Sequence, residues 1–279
     1  MIRWTLVGLT VLAGMAGPSG ASAAEPTAAE RGRKALLGKS YNPPTLSVAA
    51  YENVWKQWGL ARKPAPAEYA RLYRERYGLH EAPYDNGGFP MGLRQEELPL
   101  GLGKGLSQTC LICHGGSIAG KSYVGLGNAS LDYQAFYEEM TAAAGGRPKA
   151  PFTFSQVRGT SEAGSMAVYL LGFREPNLQL RFRALEFGLQ DDLCEDPPAW
   201  WLLRKKKTMY HTGSTDARSV RALMQFMMTP LNGPSAFEKA EADFRDVQAY
   251  LLSLRPPKYP LPMTFLVQCI TLYYSCRFV

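Results

Sequence analysis

The feature that most constrains this chain is five residues long. It is Cys110-Leu111-Ile112-Cys113-His114, within the stretch SQTCLICHGG. Two thiols stand three apart and an imidazole follows the second at once. Core packing gives no reason to combine these residue types at this spacing, so the fold must present that turn to something else.

Three chemistries use such a turn. A zinc site needs two further ligands, usually a second short-spaced pair. Cys194 and His211 are the remaining candidates, and they are far apart in sequence with nothing close to either. A redox dithiol of the thioredoxin type needs a strand leading into a helix, and no strand pattern precedes Cys110. The third chemistry is covalent attachment of haem. Thiols at i and i+3 on one helical turn share a face and reach the two vinyl groups together. The histidine beside them then offers its imidazole to the iron. Its other nitrogen is expected to donate to a backbone carbonyl, which fixes the ring. Haem is the reading carried forward, with a structural metal-binding protein as the alternative if Cys110 and Cys113 are free thiols.

The ends of the chain bear on this. MIRWTLVGLTVLAGMAGPSGASAAEP places Arg3 before a short apolar run and ends in Ala21-Ser22-Ala23, a small-x-small cleavage pattern. Residues 1 to 24 are therefore expected to be a secretory signal peptide, and the mature protein to be exported, periplasmic or secreted. The formal charge is +7, and removing Arg3 lowers it by one. Export argues against a nucleic-acid partner. The dense basic run, Arg204-Lys205-Lys206-Lys207, suits a solvated face, an acidic redox partner or haem carboxylates. The five cysteines form no even disulfide framework. The ending LPMTFLVQCITLYYSCRFV is apolar but marginal as a membrane span, with Gln268 inside it, so no stable span is expected in the mature chain.

Between these ends the periodicity is helical, and a mainly α fold is expected. Val48, Tyr51, Trp55 and Trp58 share one helix face. Pro66 opens a helix in which Tyr69, Leu72, Tyr73 and Tyr77 align, with Gly78 to end it. Residues 80 to 105 read as an irregular segment rich in Gly and Pro. A third helix is expected to be capped by Asn128 or Ser130 and stopped by Gly145-Gly146. Residues 161 to 173 and 216 to 228 are further helix candidates. The clearest helix ends at Pro256-Pro257, with Phe237, Ala240, Phe244, Val247, Leu251 and Leu254 forming its apolar stripe.

GLGKGLSQTCLICHGG resembles the haem-attachment helix of c-type cytochromes, and FRDVQAYLLSL resembles their closing helix, with Tyr250 at its aromatic position. The resemblance implies an enlarged cytochrome c-like haem domain over residues 99 to 256. A helical extension over 25 to 98 precedes it, and an irregular apolar tail over 257 to 279, read as a truncated or frame-shifted end, follows. Such folds cross their first and last helices to close the haem crevice. VRGTSEAGS and PPAWWLLRKKKTMYHTGSTDARSVRALMQF are similar to the di-haem cytochrome c peroxidase superfamily, in its rubber-oxygenase-like branch. That similarity runs over residues 80 to 260, with Arg158 and the loop Tyr210-His211-Thr212-Gly213 at the matching positions. Relatives of that kind continue into a second Cys-x-x-Cys-His, which this chain lacks.

The implied cofactor is one covalent haem c per chain, held by Cys110 and Cys113, with His114 as proximal iron ligand. His211 is a candidate sixth ligand. Met140, Met166, Met209, Met224, Met227 and Met228 are alternatives, the last three better explained as core. Trp200 and Trp201 are candidates for packing on the haem edge. Arg158 and Lys205 to Lys207 are candidates for its carboxylates. His80 reads as a surface residue. The function expected is electron transfer to or from a redox partner protein. A haem peroxidase or oxygenase is the rival, weakened because the second haem that supplies its electrons is missing.

Overall fold

The computed structural model describes residues 24–98, 103–146, 153–155, 157–189, 194–210 and 212–258. The expected signal peptide, but for Ala24, and the tail beyond Lys258 lie outside them. Seven α-helices are found among the described residues: α1 (Ala28–Gly38), α2 (Val48–Asn53), α3 (Pro66–Tyr77), α4 (Tyr133–Ala143), α5 (Ala163–Leu171), α6 (Val220–Leu223) and α7 (Pro234–Ser253). Short 3-10 helices cover Val54–Trp58, Cys110–Ile112, Trp200–Lys205 and Gln225–Met228.

The mainly α expectation is corrected. The described residues are 42% helical and 13% strand, a mixed fold with several antiparallel sheets. β1 (Leu46–Ser47), β2 (Leu93–Glu97) and β3 (Lys104–Gln108) form a sheet in the order β1-β3-β2, with Leu93 opposite Gln108 and Glu97 opposite Lys104. β2 and the start of β3 fall within what reads as irregular sequence. β4 (Gly115–Ile118) and β5 (Lys121–Val124) form a hairpin, and β6 (Thr208–Met209) pairs with β7 (Thr215–Asp216). Strands this short carry too few side chains for period-two alternation to show. The β4–β5 connection is two residues, Ala119 and Gly120, both at positive φ, the geometry whose twist matches a hairpin.

Two further corrections concern helices. The attachment segment is not an α-helix but a single 3-10 turn between β3 and β4. Asp132, not Asn128 or Ser130, caps α4 by accepting from the Ala135 amide at 3.0 Å, because the other two side chains are committed elsewhere.

Burial follows the apolar faces. Tyr69, Tyr73 and Tyr77 of α3, at the helical spacing of four, meet in tilted and edge-to-face contacts and join Tyr51, Phe136 and Met140 in one core cluster. On α7 the predicted stripe is buried from Phe237 to Leu251. Its first half packs against Met224 and Met227. Its second half, through Val247 and Leu251, packs against Ala35 and Leu36 of α1.

α1 lies along α7, so the first and last described helices pack together, although α1 itself lies far upstream of the Cys-x-x-Cys-His turn. Thr27 and Glu30 form a reciprocal capping box at its start. The helices approach at Gly32, where a Cβ would lie 1.9 Å from the Asp246 carbonyl oxygen. Gly32→Ala is therefore expected to force the pair apart and cost about 1–3 kcal/mol. An unchanged midpoint in urea or thermal unfolding would contradict this close crossing.

Candidate functional site

The Cys-x-x-Cys-His turn sits where two core clusters meet. Leu111 is buried with Leu203, Val247 and Leu251, and Cys110 packs against that side. Ile112 is buried with Leu93, Leu106 and Leu131, and Cys113 packs against that side. The two apolar residues between the thiols thus anchor the turn in opposite directions. The Thr109 hydroxyl caps it by accepting from the Leu111 amide, and the amides of Cys113 and His114 both close on the Cys110 carbonyl. Cys110, Cys113 and His114 keep some accessible surface, so they form a wall rather than filler. Neither cysteine is paired in a disulfide.

His114 is held from two directions by one distant segment. Its Nδ1 lies 3.1 Å from the Pro198 carbonyl oxygen, 84 residues away, and its ring stacks on Trp200 at 4.6 Å and 24°. A carbonyl only accepts, so Nδ1 carries the proton and Nε2 keeps its lone pair. Burial pushes the imidazole pKa down to about 4, which keeps the ring neutral at pH 7. That segment docks tightly on the end of the β4–β5 hairpin. The Trp200 amide donates to the Gly125 carbonyl at 2.7 Å, and the Gly125 amide donates to the His114 carbonyl at 2.8 Å. A Cβ on Gly127 would lie 1.8 Å from the Pro197 carbonyl oxygen, so a side chain there would lift Pro198 and Trp200 away from the histidine.

This donor set fits a covalently held haem. It offers two cysteines outside any disulfide on one turn and a neutral imidazole whose second nitrogen is already bonded to the backbone. Among the described residues, no group of three or more His, Cys, Asp or Glu side chains is placed to hold a metal ion by itself, as a zinc site would require.

Burial raises the thiol pKa values, to about 12 at Cys110 and about 11 at Cys113. Only the thiolate is nucleophilic. In the haem-free chain both thiols are thus expected to react slowly with iodoacetamide at pH 8, with a rate that climbs about tenfold per pH unit and jumps on unfolding. Peptide mapping of the alkylated chain would check this. Equal rates in native and denatured chain would contradict it.

The remaining candidates divide. His211 lies outside the described residues. Arg158 is committed to the backbone: its guanidinium donates to the carbonyls of Arg76, Glu75 and Ser130, with Asp132 3.5 Å away. Lys205, Lys206 and Lys207 are exposed. Trp201 is half-buried beside Trp200. Met140, Met224 and Met227 are buried in core clusters, and Met140 accepts a hydrogen bond from Tyr73. Met209 packs in the cluster that also holds Cys110 and Trp200. Tyr250 packs there too.

His80 corrects the surface reading, for it is half-buried with Nε2 3.0 Å from Asn128 Oδ1 and 2.9 Å from Ser130 Oγ. Asn128, expected only as a cap, is the polar hub behind the turn. It is fully buried, its amide nitrogen donates to the carbonyls of Gly78 and Ile112, and its backbone amide donates to the Cys113 carbonyl. Sequence reasoning also missed Ser161, which lies close enough to the Cys113 thiol to offset part of the burial effect on it, and Met91, which packs on Gly115 immediately after the histidine. Neither has a local signal, since each reaches the turn through the tertiary fold.

No family model matches this chain, and no curated protein is similar to it. Among the described residues, no helix is long and apolar enough to cross a membrane.

Proposed function

We propose that this protein is an exported c-type cytochrome that binds one haem covalently and transfers electrons. The observation that carries the reading is the pairing of His114 Nδ1 with the Pro198 carbonyl beside two cysteines that share one turn and form no disulfide. Cys110 and Cys113 would hold the haem through thioethers, and His114 Nε2 would ligate its iron. Bound there, the haem supplies one-electron ferrous–ferric chemistry. The chain's own work is to hold the imidazole neutral and correctly turned. Pro198 fixes its proton on Nδ1 and Trp200 fixes its plane. The apolar anchors Leu111 and Ile112 keep the turn from unwinding.

The test is the visible spectrum of protein expressed with a haem-attachment system, followed by acid-acetone extraction. Colour that stays with the precipitated chain, together with one haem per chain by pyridine haemochrome, supports the reading. Colour that leaves with the solvent defeats it. Carbon monoxide added to the ferrous form distinguishes a carrier, whose sixth position is filled, from a peroxidase or oxygenase, whose sixth position is open.

A further inference from the structure

We infer that the surface formed by Arg204, Lys205, Lys206, Lys207 and Arg218 docks an acidic redox protein, which exchanges one electron with this chain through Trp200. The inference rests on the haem reading above and names the class of partner.

Three observations converge. First, the basic run is continuous with the support of the site. Trp200, which stacks on His114, begins the 3-10 helix that ends at Lys205. At about 2 Å of rise per residue, Lys205 lies about 10 Å along the axis from Trp200. Leu203, on the inner face of this helix, is buried against α7, while Arg204, Lys205, Lys206 and Lys207 are exposed. The helix is therefore a short rigid post with the imidazole contact at one end and the charge at the other.

Second, the charge is unbalanced. Among the described residues no carboxylate forms an ion pair with Lys205, Lys206 or Lys207. The β6–β7 hairpin adds Arg218, whose guanidinium donates to the carbonyls of Leu203 and Arg204 and so sits against the end of the same post. Asp216 is the neighbouring acid, and its carboxylate accepts from the Arg218 backbone amide. Some surface cations elsewhere are paired, as in Arg31 with Asp246 and Lys39 with Asp243, but no other run of adjacent cations in the described residues is as dense. An uncompensated cluster raises the local concentration of anionic partners and orients their approach.

Third, the post offers something apolar to dock on. Leu202 is 42% exposed between the half-buried Trp201 and the basic residues. An aromatic and aliphatic centre with a charged rim is how transient protein interfaces are built. In the exchange, the reduced partner loses one electron and the ferric site of this chain gains it, with no bond made or broken. An anionic membrane surface would use the charge but not the Trp200 connection, so a protein is the favoured occupant.

The test compares the wild-type chain with Lys205→Glu/Lys206→Glu/Lys207→Glu, and with a control carrying the same charge change elsewhere, Lys34→Glu/Lys56→Glu/Lys239→Glu. The first probe is poly-L-glutamate, titrated at low salt, which works on the haem-free chain as well. The wild type and the control are expected to bind it, the first variant about tenfold or more weakly, and all of them to lose it by about 0.15 M salt. The second probe is oxidation of the reduced haem-loaded protein by hexacyanoferrate(III), which takes one electron and becomes hexacyanoferrate(II). The first variant is expected to react about tenfold more slowly with this anion and faster with the cation tris(phenanthroline)cobalt(III). Equal binding by variant and wild type overturns the inference. So does binding to phosphatidylglycerol vesicles without binding to poly-L-glutamate. Lost binding with unchanged oxidation rates overturns the electron path. A colourless preparation instead defeats the haem reading, while the polyglutamate arm still reports on the surface. Should the glutamate variant fail to fold by circular dichroism, the same comparison with three glutamines decides the matter.

Discussion

Replacing His114 by glycine is expected to abolish the native visible spectrum while leaving the colour covalently attached. Cys110 and Cys113 remain to form both thioethers, but the imidazole that would ligate the iron is gone. The spectrum is expected to return on adding free imidazole, because the groups that hold the ring stay in place. The Pro198 carbonyl can accept from the added Nδ1–H, and the face of Trp200 can stack on the added ring as it does on His114. Trp200→Ala should then weaken the rescue, which a merely structural role for the tryptophan would not do. By contrast, Cys110→Ala/Cys113→Ala is expected to release all colour into acid acetone. If the glycine variant keeps an unaltered spectrum, His114 is not the proximal ligand. If the double cysteine variant keeps covalent colour, attachment is not at this turn.

The elements legible in the sequence are those whose signal is carried by many side chains at a fixed period. α7 is the clearest: five apolar positions stepped by three and four are buried in that order. α3 is marked by its Pro at the start, its tyrosine face and its Gly at the end. α1 was equally open to reading, since Thr27 and Glu30 stand at capping-box spacing. The strands were not. β4 begins with Gly115-Gly116 and β2 is Leu-Arg-Gln-Glu-Glu, so neither displays an apolar face, and their order comes from backbone pairing set by turns. Ala119-Gly120 was the one local clue, and an alanine at positive φ is rare enough to hide it.

The site divides in the same way. The thiols and the histidine fall within five residues, so their grouping is plain from spacing. What fixes the histidine arrives from Pro198 and Trp200, and what fixes the turn arrives from Asn128. A one-dimensional pattern holds no record of which distant carbonyl faces which donor. The sequence predicts that His114 needs a backbone acceptor, and the fold decides which one. Proline dipeptides such as Pro197-Pro198 mark an extended segment with carbonyls unspent by helix, which is the type of segment able to provide it.

Asn128→Ala is expected to destabilise the protein on the order of 3 kcal/mol or more, the larger of the stability effects argued here. The side chain is fully buried and every polar atom on it is used. Its Nδ2 donates to Gly78 O at 2.8 Å and to Ile112 O at 3.1 Å. Its Oδ1 accepts from the Ser130 amide at 3.1 Å and lies 3.0 Å from His80 Nε2. Alanine would strand these groups away from water, each at about 1–3 kcal/mol, with partial relief as neighbours relax. Asn128→Asp tests the cause. The shape is kept and so is an acceptor, but a second oxygen now faces two carbonyls. The ionised form is disfavoured there, so the aspartate's folded pKa is raised above its unfolded value. Between those two pKa values the folded state binds more protons, and stability therefore falls as pH rises. The variant should accordingly be least stable near neutrality and regain stability on acidification from pH 7 towards 5, relative to wild type at each pH, because a protonated carboxyl can donate to one of the two carbonyls. Urea unfolding at a series of pH values measures this directly. A loss for Asn128→Asp that is small and independent of pH would show that the donors to Gly78 and Ile112 do not hold the turn. The position of His114 would then have to rest on Pro198 and Trp200 alone.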